Sequence, residues 1–388
     1  MEKMTSRERV VTALQHHEPD RVPLGIWMTI DAYKKLRRHL GLEVKDEYPV
    51  GSTTWSQDVG VELDLIDKLG LDVVKISGQC PGGKSLEELP DGLLVDEWGI
   101  KRKRVQFKSG SYLEIVDPPL ANARIEDLND YPWPDPHDPA VMDGLREKAR
   151  FIRQEIDLAI AAQFARGGIF EQAKYLRGYD KILLDMAEDP DFVMALFEKL
   201  TEIENGFNEV GIEACGEYID ILRVSPEDLA TQTSTFISPR MFKNMVLPFY
   251  QRSFSHAKKL LLKKNPNAKL EFHSCGAAYP FMQLLMDAGM DIFDSLQPRV
   301  SEDSKPARYK QDFGGRLSFW GGIDVQQTLP QGTPEDVCEE VRVRIDEMAP
   351  GGGYILSSSH RLQPDIPVEN ILTMYEAAKE FGNYPIRV

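Results

Sequence analysis

The 388-residue sequence predicts an α/β protein, a single (β/α)8 barrel of the TIM type with helical additions at its amino end. Three observations carry this reading. Short runs of β-branched and aromatic residues alternate with amphipathic segments from one end of the chain to the other. Eight such runs are present, the number a barrel of this type needs. No Gly-rich dinucleotide fingerprint follows the first run, which weighs against a doubly wound sheet.

The runs, in order, are VPLGIW (22–27), VVKIS (73–77), AIAAQF (159–164), YIDILRVS (218–225), KLEFHSC (269–275), DIFDSLQP (291–298), LSFWGGI (317–323) and YILSSSH (354–360). Helices begin where a capping residue precedes proline. Ser238-Pro239 opens PRMFKNMVLPFYQRSFSHAKKLLLK and Thr333-Pro334 opens PEDVCEEVRVRIDEM. The long connection over about 80–150, with its YPWPDPHDP stretch (131–139), reads as an excursion over the barrel rather than a linker. With no repeat and no low-complexity tract, residues 1–388 are expected to form one domain.

Composition narrows the function. A hydrophobic share of 42% beside 28% charged residues suits a globular chain with a sizeable core. A net charge of −16 argues against nucleic acid as a partner, because phosphate binding needs a basic stripe. It also disfavours a polyanionic substrate, unless a local arginine cluster compensates. No apolar run is long enough for a membrane span, and the charged start MEKMTSRERVVTALQ is unlike a signal peptide. Cys80, Cys215, Cys275 and Cys338 are too scattered for a disulfide framework, so a reduced, cytoplasmic protein is expected.

Chemistry in such a barrel belongs at the carboxyl ends of the strands. The polar residues predicted there are Glu171, Glu227, Asp228, His273, Cys275, Gln297, Asp324 and His360. In EFHSCGA (271–277) the histidine and cysteine are two apart, so an extended strand points both the same way, and Gly276 leaves them at the rim. An imidazole and a thiolate suit Zn²⁺, whose catalytic sites use three protein ligands. An isolated H-x-C is common, and a free Cys is often only a small buried hydrophobe. His360, at the end of the eighth run, is the candidate third ligand. The acids Glu171, Glu227 and Asp228 are candidates for proton transfer or for supporting the metal, with helix capping as the ordinary alternative. Trp27, Trp320 and Phe170 are candidates for a pocket lining or for core.

Several stretches together resemble the uroporphyrinogen decarboxylase superfamily: SRERVVTALQHHEPDRVP, DEWGIKRKRV (96–105), YPWPDP (131–136), FISPRMFKNMVLPFY (236–250), EFHSCG, FWGGIDVQQTLPQGTPEDV (319–337) and LQPDIPVENI (362–371). The superfamily includes decarboxylases of a polyanionic tetrapyrrole and zinc-dependent methyltransferases that work with corrinoid proteins. The decarboxylases carry an arginine motif after the first strand, where this chain reads GIWMTIDAYKKLRR. The methyltransferases carry H-x-C and a second cysteine near the end of the last strand. His273 and Cys275 match, and His360 stands in the cysteine's place.

One thiolate with two neutral imidazoles leaves zinc at a formal charge of +1, a stronger Lewis acid for oxygen than a two-thiolate site. The resemblance thus implies a methyltransferase that takes a methyl group from a small-molecule donor, such as a methoxyl compound, to cobalt(I) of a separate corrinoid protein. This chain has no D-x-H-x-x-G signature of its own, and DPHDPA (135–140) comes nearest. A homodimer is one assembly the resemblance allows. A decarboxylase and a non-catalytic ligand-binding barrel are the alternatives.

Overall fold

A computed structural model of the chain describes residues 3–44, 60–83, 86–107 and 110–386. Its strands in chain order are β1 (Val73–Ser77), β2 (Glu87–Glu88), β3 (Leu94–Val95), β4 (Lys101–Phe107), β5 (Gly110–Asp117), β6 (Ala159–Gln163), β7 (Ile221–Arg223), β8 (Glu227–Asp228), β9 (Lys269–Cys275), β10 (Ile292–Leu296), β11 (Ser318–Ile323) and β12 (Tyr354–Ser358). The order β1-β6-β7-β9-β10-β11-β12 forms one parallel sheet curled into a barrel wall, with helices between its strands. Its strands are the second to eighth predicted runs. They are nearly continuous apolar sequence because both faces are covered.

The first predicted run, 22–27, is not a regular strand. It still lies between the sheet's two edges: Gly25 N–H donates to Leu356 O (2.9 Å), Leu356 N–H to Pro23 O (2.9 Å) and Asp72 N–H to Leu24 O (2.9 Å). Only isolated parallel bridges form, Leu24 with Leu356 and Met28 with Leu362. Pro23 has no N–H to give, and the Leu24 N–H is taken by the Asp72 carboxylate at 2.8 Å. The fourth run likewise shrinks to Ile221–Arg223, because a 3₁₀ turn occupies Gly216–Tyr218 and Ser225 turns into left-handed backbone (φ 44°).

The amino-terminal helix Ser6–Leu14 starts with a capping box between Thr5 and Glu8. Its Val10 and Leu14 pack with Val73, Ala161, Ile292 and Trp320, closing the apolar interior of the barrel. Trp320 is therefore core, as is fully buried Phe170. Arg9 anchors the helix through Asp20 and Asp72, both at 2.6 Å. The excursion carries an unpredicted feature: β2 to β5 form a separate antiparallel sheet. The predicted helix after Ser238 is present but interrupted, since a π turn at Phe242–Val246 precedes Leu247–Lys264. Pro248 lacks the N–H that a regular α-helix would require there. Thr333 caps Pro334–Met348 with Asp336, as predicted. Among the described residues no helix is long and apolar enough to cross a membrane, and all four cysteines are free thiols.

Candidate metal centre

β9 ends in the alternation Glu271, His273, Cys275, with Phe272 turned outward against Tyr250 and Phe254. The strand thus presents an imidazole and a thiol at the barrel mouth. His360, two residues beyond β12, meets them there. One donor atom from each of His273, Cys275 and His360 lies within 4.8 Å of the others. The Cys275 Sγ to His273 Nε2 distance is 3.6 Å. Zinc–nitrogen and zinc–sulfur bonds of about 2.05 and about 2.3 Å at a tetrahedral angle put their donors about 3.6 Å apart. The pair therefore already has a zinc-like edge, and the N–S–N donor set suits that metal.

A carboxylate that the sequence reading overlooked orients the first histidine. Asp294 on β10 is in register with His273, and its Oδ2 lies 2.9 Å from His273 Nδ1. This turns Nε2 toward Cys275, the usual way a carboxylate fixes a metal-binding imidazole. The same oxygen accepts from Arg223 Nη2 at 2.6 Å, and Arg223 Nε donates to Glu271 at 3.0 Å. Burial opposes ionisation of Asp294, but Arg223 and then His273 outweigh it and hold the carboxyl far below the usual range. Burial, reinforced by Asp228, pushes the Cys275 thiol well up. Burial, reinforced by Arg361, holds His360 well down, in its neutral form.

The three predicted acids separate in role. Asp228 reaches the cluster: its Oδ1 accepts from Cys275 N–H (3.2 Å) and lies 4.0 Å from His273 Nε2. Burial, and then Glu171, raise its carboxyl above the usual range. Glu171 pairs with Lys174 and accepts from Asp228 N–H (3.1 Å) and Tyr179 O–H (3.1 Å). Glu227 caps the helix Ile169–Arg177, accepting from the N–H groups of Phe170 (2.9 Å) and Glu171. Its capping position explains Gly168, where an added Cβ would sit 2.1 Å from Glu227 Oε1. Gly168→Ala should cost about 1–3 kcal/mol, since overpacking must displace that buried carboxyl; thermal denaturation checks it, and an unchanged midpoint contradicts the packing.

Two other predicted rim residues serve the backbone. Gln297 accepts from Gly276 N–H at 2.6 Å, and Asp324 accepts from the N–H groups of Gln326, Gln327 and Thr328. Above the cluster opens a cavity of about 1130 Å³, counting the part open to solvent, lined by Trp27, Glu171, Glu227, Asp228, His273 and His360 among others. Trp27 contacts both imidazoles, at ring-centroid distances of 5.2 and 4.7 Å. Lys75, Arg166, Arg223 and Arg361 also line it. The sequence signals for these cations were faint: a lysine inside the apolar run VVKIS, and an arginine directly after His360.

Fold and site together define a TIM-type barrel of the kind that builds its chemistry at the carboxyl rim, here around a His-Cys-His cluster. Residues 103–381 match the model of the uroporphyrinogen decarboxylase (URO-D) family. The chain belongs to that family. It is similar to a methylated-thiol–coenzyme M methyltransferase of Methanosarcina mazei, with 24% identity over 298 residues, covering 73% of each chain. It is also similar to a uroporphyrinogen decarboxylase of Geobacter metallireducens, with 22% identity over 364 residues, covering 92% of this chain and 94% of the other. Among solved structures, a methyltransferase from Methanosarcina mazei superposes with a TM-score of 0.65 at 17% identity, covering 98% of this chain and 99% of that one. That likeness bears on the fold.

Proposed function

We propose that the chain is a zinc-dependent methyltransferase, which moves a methyl group from the heteroatom of a small molecule, a methoxyl oxygen in the simplest case, to the cobalt(I) corrinoid of a separate protein. The observation that carries this reading is the meeting of His273, Cys275 and His360, with Sγ and Nε2 already 3.6 Å apart. Decarboxylation in this family has no use for such a donor set. The sequence similarity to a methyltransferase supports the same choice.

His273, Cys275 and His360 would hold the metal, and zinc bound there supplies a Lewis acid for the developing negative charge on the leaving heteroatom. The other residues do the remaining work. Asp294 fixes the His273 ring, and Trp27 packs against both imidazoles. Asp228, beside the cluster and with its proton held more tightly than usual, is the group placed to protonate the departing oxygen. Glu171 holds the Asp228 backbone, and Glu227 holds the helix that carries Glu171. The corrinoid protein enters as methyl acceptor. The C–O bond breaks, the methyl carbon bonds to the acceptor, and the oxygen leaves with the bonding pair and takes a proton.

The test is to incubate the protein with a corrinoid protein reduced to cobalt(I) and with methoxylated donors, following methylcobalt by its absorption. Methylation dependent on this protein is expected. Turnover of uroporphyrinogen with no methyl transfer overturns the reading in favour of the decarboxylase.

The Cys275 thiol is pushed up and His360 is held down, so at pH 8 the metal-free site keeps a proton on sulfur and His360 is a neutral imidazole. Zinc binding at pH 8 should release at least the thiol proton, because the metal takes thiolate. Calorimetry in buffers of different ionisation enthalpy measures this; zero release would remove Cys275 from the ligand set.

A further inference from the structure

Glu204 is a buried acid that the chemistry above does not use. It stands on the helix Pro190–Cys215 and is 4% exposed. Its carboxyl meets Ser225, the second residue after β7. Ser225 N–H donates to Oε1 at 2.7 Å, and Ser225 Oγ lies 2.8 Å from both Oε1 and Oε2. Ser253, on the helix Leu247–Lys264, also faces it. Arg166 shares a small cavity with Glu204 but is paired with Glu97 at 3.9 Å, and among the described residues no cation pairs with Glu204. Burial pushes the Glu204 carboxyl up to about 7. The contacts suit the neutral form as well. A serine hydroxyl carries one proton, so both 2.8 Å contacts are hydrogen bonds only when Glu204 supplies a second.

Ser225 needs such a hold. At φ 44° it occupies the left-handed region, which is unfavourable for a residue with a Cβ. It is fully buried and starts the turn that aims the next three residues. Pro226 O accepts from Gly168 N–H (2.9 Å), Glu227 caps the helix Ile169–Arg177, and Asp228 Oδ1 accepts from Cys275 N–H (3.2 Å). Backbone in a sparsely populated region persists where its surroundings over-determine it, and such places cluster at functional sites.

We propose that Glu204 is a positioning residue of the barrel rim: by clamping Ser225 in its left-handed turn, it sets Asp228 beside the His273–Cys275–His360 cluster. The proton-donor role of Asp228 rests on the function proposed above, whereas its placement does not.

Exchange of the Cys275 amide hydrogen reads that placement, because Asp228 accepts from it. It is followed residue by residue by mass spectrometry on the protein as purified. Methyl transfer does not enter the readout, so a protein that transfers no methyl group still gives an answer. Glu204→Leu is expected to speed exchange at Cys275 at least about tenfold, the factor for one lost buried hydrogen bond. The amides of Glu271 and Phe272, inside β9, should keep their rates. Ser225→Ala keeps the N–H and loses only the hydroxyl, so a smaller rise is expected; it also answers if the leucine variant does not fold. Glu204→Gln should hold the wild-type rate, since its amide accepts from the Ser225 N–H and donates to Oγ as the neutral acid does. A Cys275 rate unchanged in either the leucine or the Ser225→Ala variant overturns the proposal. So does a rise shared equally by Glu271 and Phe272, which marks general loosening, or a glutamine variant as fast as the leucine one.

Discussion

Cys275→Ala is expected to leave the protein folded and without zinc. The half-buried side chain sits at the rim, on the last residue of β9, so truncation costs the core little. Removing a partner that merely orients a metal ligand lowers affinity by about 10–100-fold, so losing the thiolate itself should exceed about 100-fold. The remaining imidazoles would be a pair without a third protein donor, insufficient for the three-ligand arrangement of catalytic zinc. Metal content of purified wild type and variant, by atomic emission, reads the result directly. Circular dichroism verifies that the fold persists. Full zinc occupancy in the variant sinks the assignment, and with it the mechanism as proposed.

The fold and the core of this site were legible for different reasons. Seven barrel strands are buried on both faces, so their apolar runs stand out against amphipathic helices. The closing segment at 22–28 is visible as apolar sequence, yet what prevents a regular strand is the Asp72 carboxylate, 48 residues from the Leu24 N–H it accepts. No local pattern announces that. The sheet β2 to β5 was overlooked because its strands are largely exposed and charged, as in KRKRVQF, and lack the hydrophobic alternation of a packed face.

At the site, His273 and Cys275 were readable from a two-residue spacing, and their strand does place them together. His360 came from rim position, since strand ends from distant sequence converge at a barrel mouth. Asp294 was hidden because its importance lies in register with the neighbouring strand, which one sequence does not reveal. The acids show the reverse problem. Glu171, Glu227 and Asp228 look alike in sequence, but Glu227 caps a helix, Glu171 pairs with Lys174, and Asp228 stands beside the His-Cys-His cluster. Helix geometry and neighbours, not residue type, divide the roles.

Asp294→Ala should be the most damaging single change away from the ligands themselves. Its carboxylate satisfies two buried groups, Arg223 Nη2 at 2.6 Å and His273 Nδ1 at 2.9 Å, and is only 4% exposed. Removing one member of a buried charge cluster leaves Arg223 to Glu271 alone and the His273 Nδ1 side without its partner, at a cost of about 3–5 kcal/mol. The same change frees the His273 ring, and zinc affinity should fall by about 10–100-fold. The pH dependence gives the sign. Because the folded-state carboxyl is held below its unfolded value, its contribution is fully present above the unfolded pKa and is lost as pH falls through the folded one. Wild type and variant should therefore differ most at neutral pH and converge in strong acid. Asp294→Asn separates the two roles: its amide oxygen can still accept from His273 but no longer neutralises Arg223. Stability should drop in both variants, whereas zinc affinity should fall further in the alanine one. Denaturant titrations across pH, with zinc competition against a chelator, measure both. If the two variants lose zinc equally while His273→Ala added to either has its full wild-type effect, Asp294 does not act through that histidine.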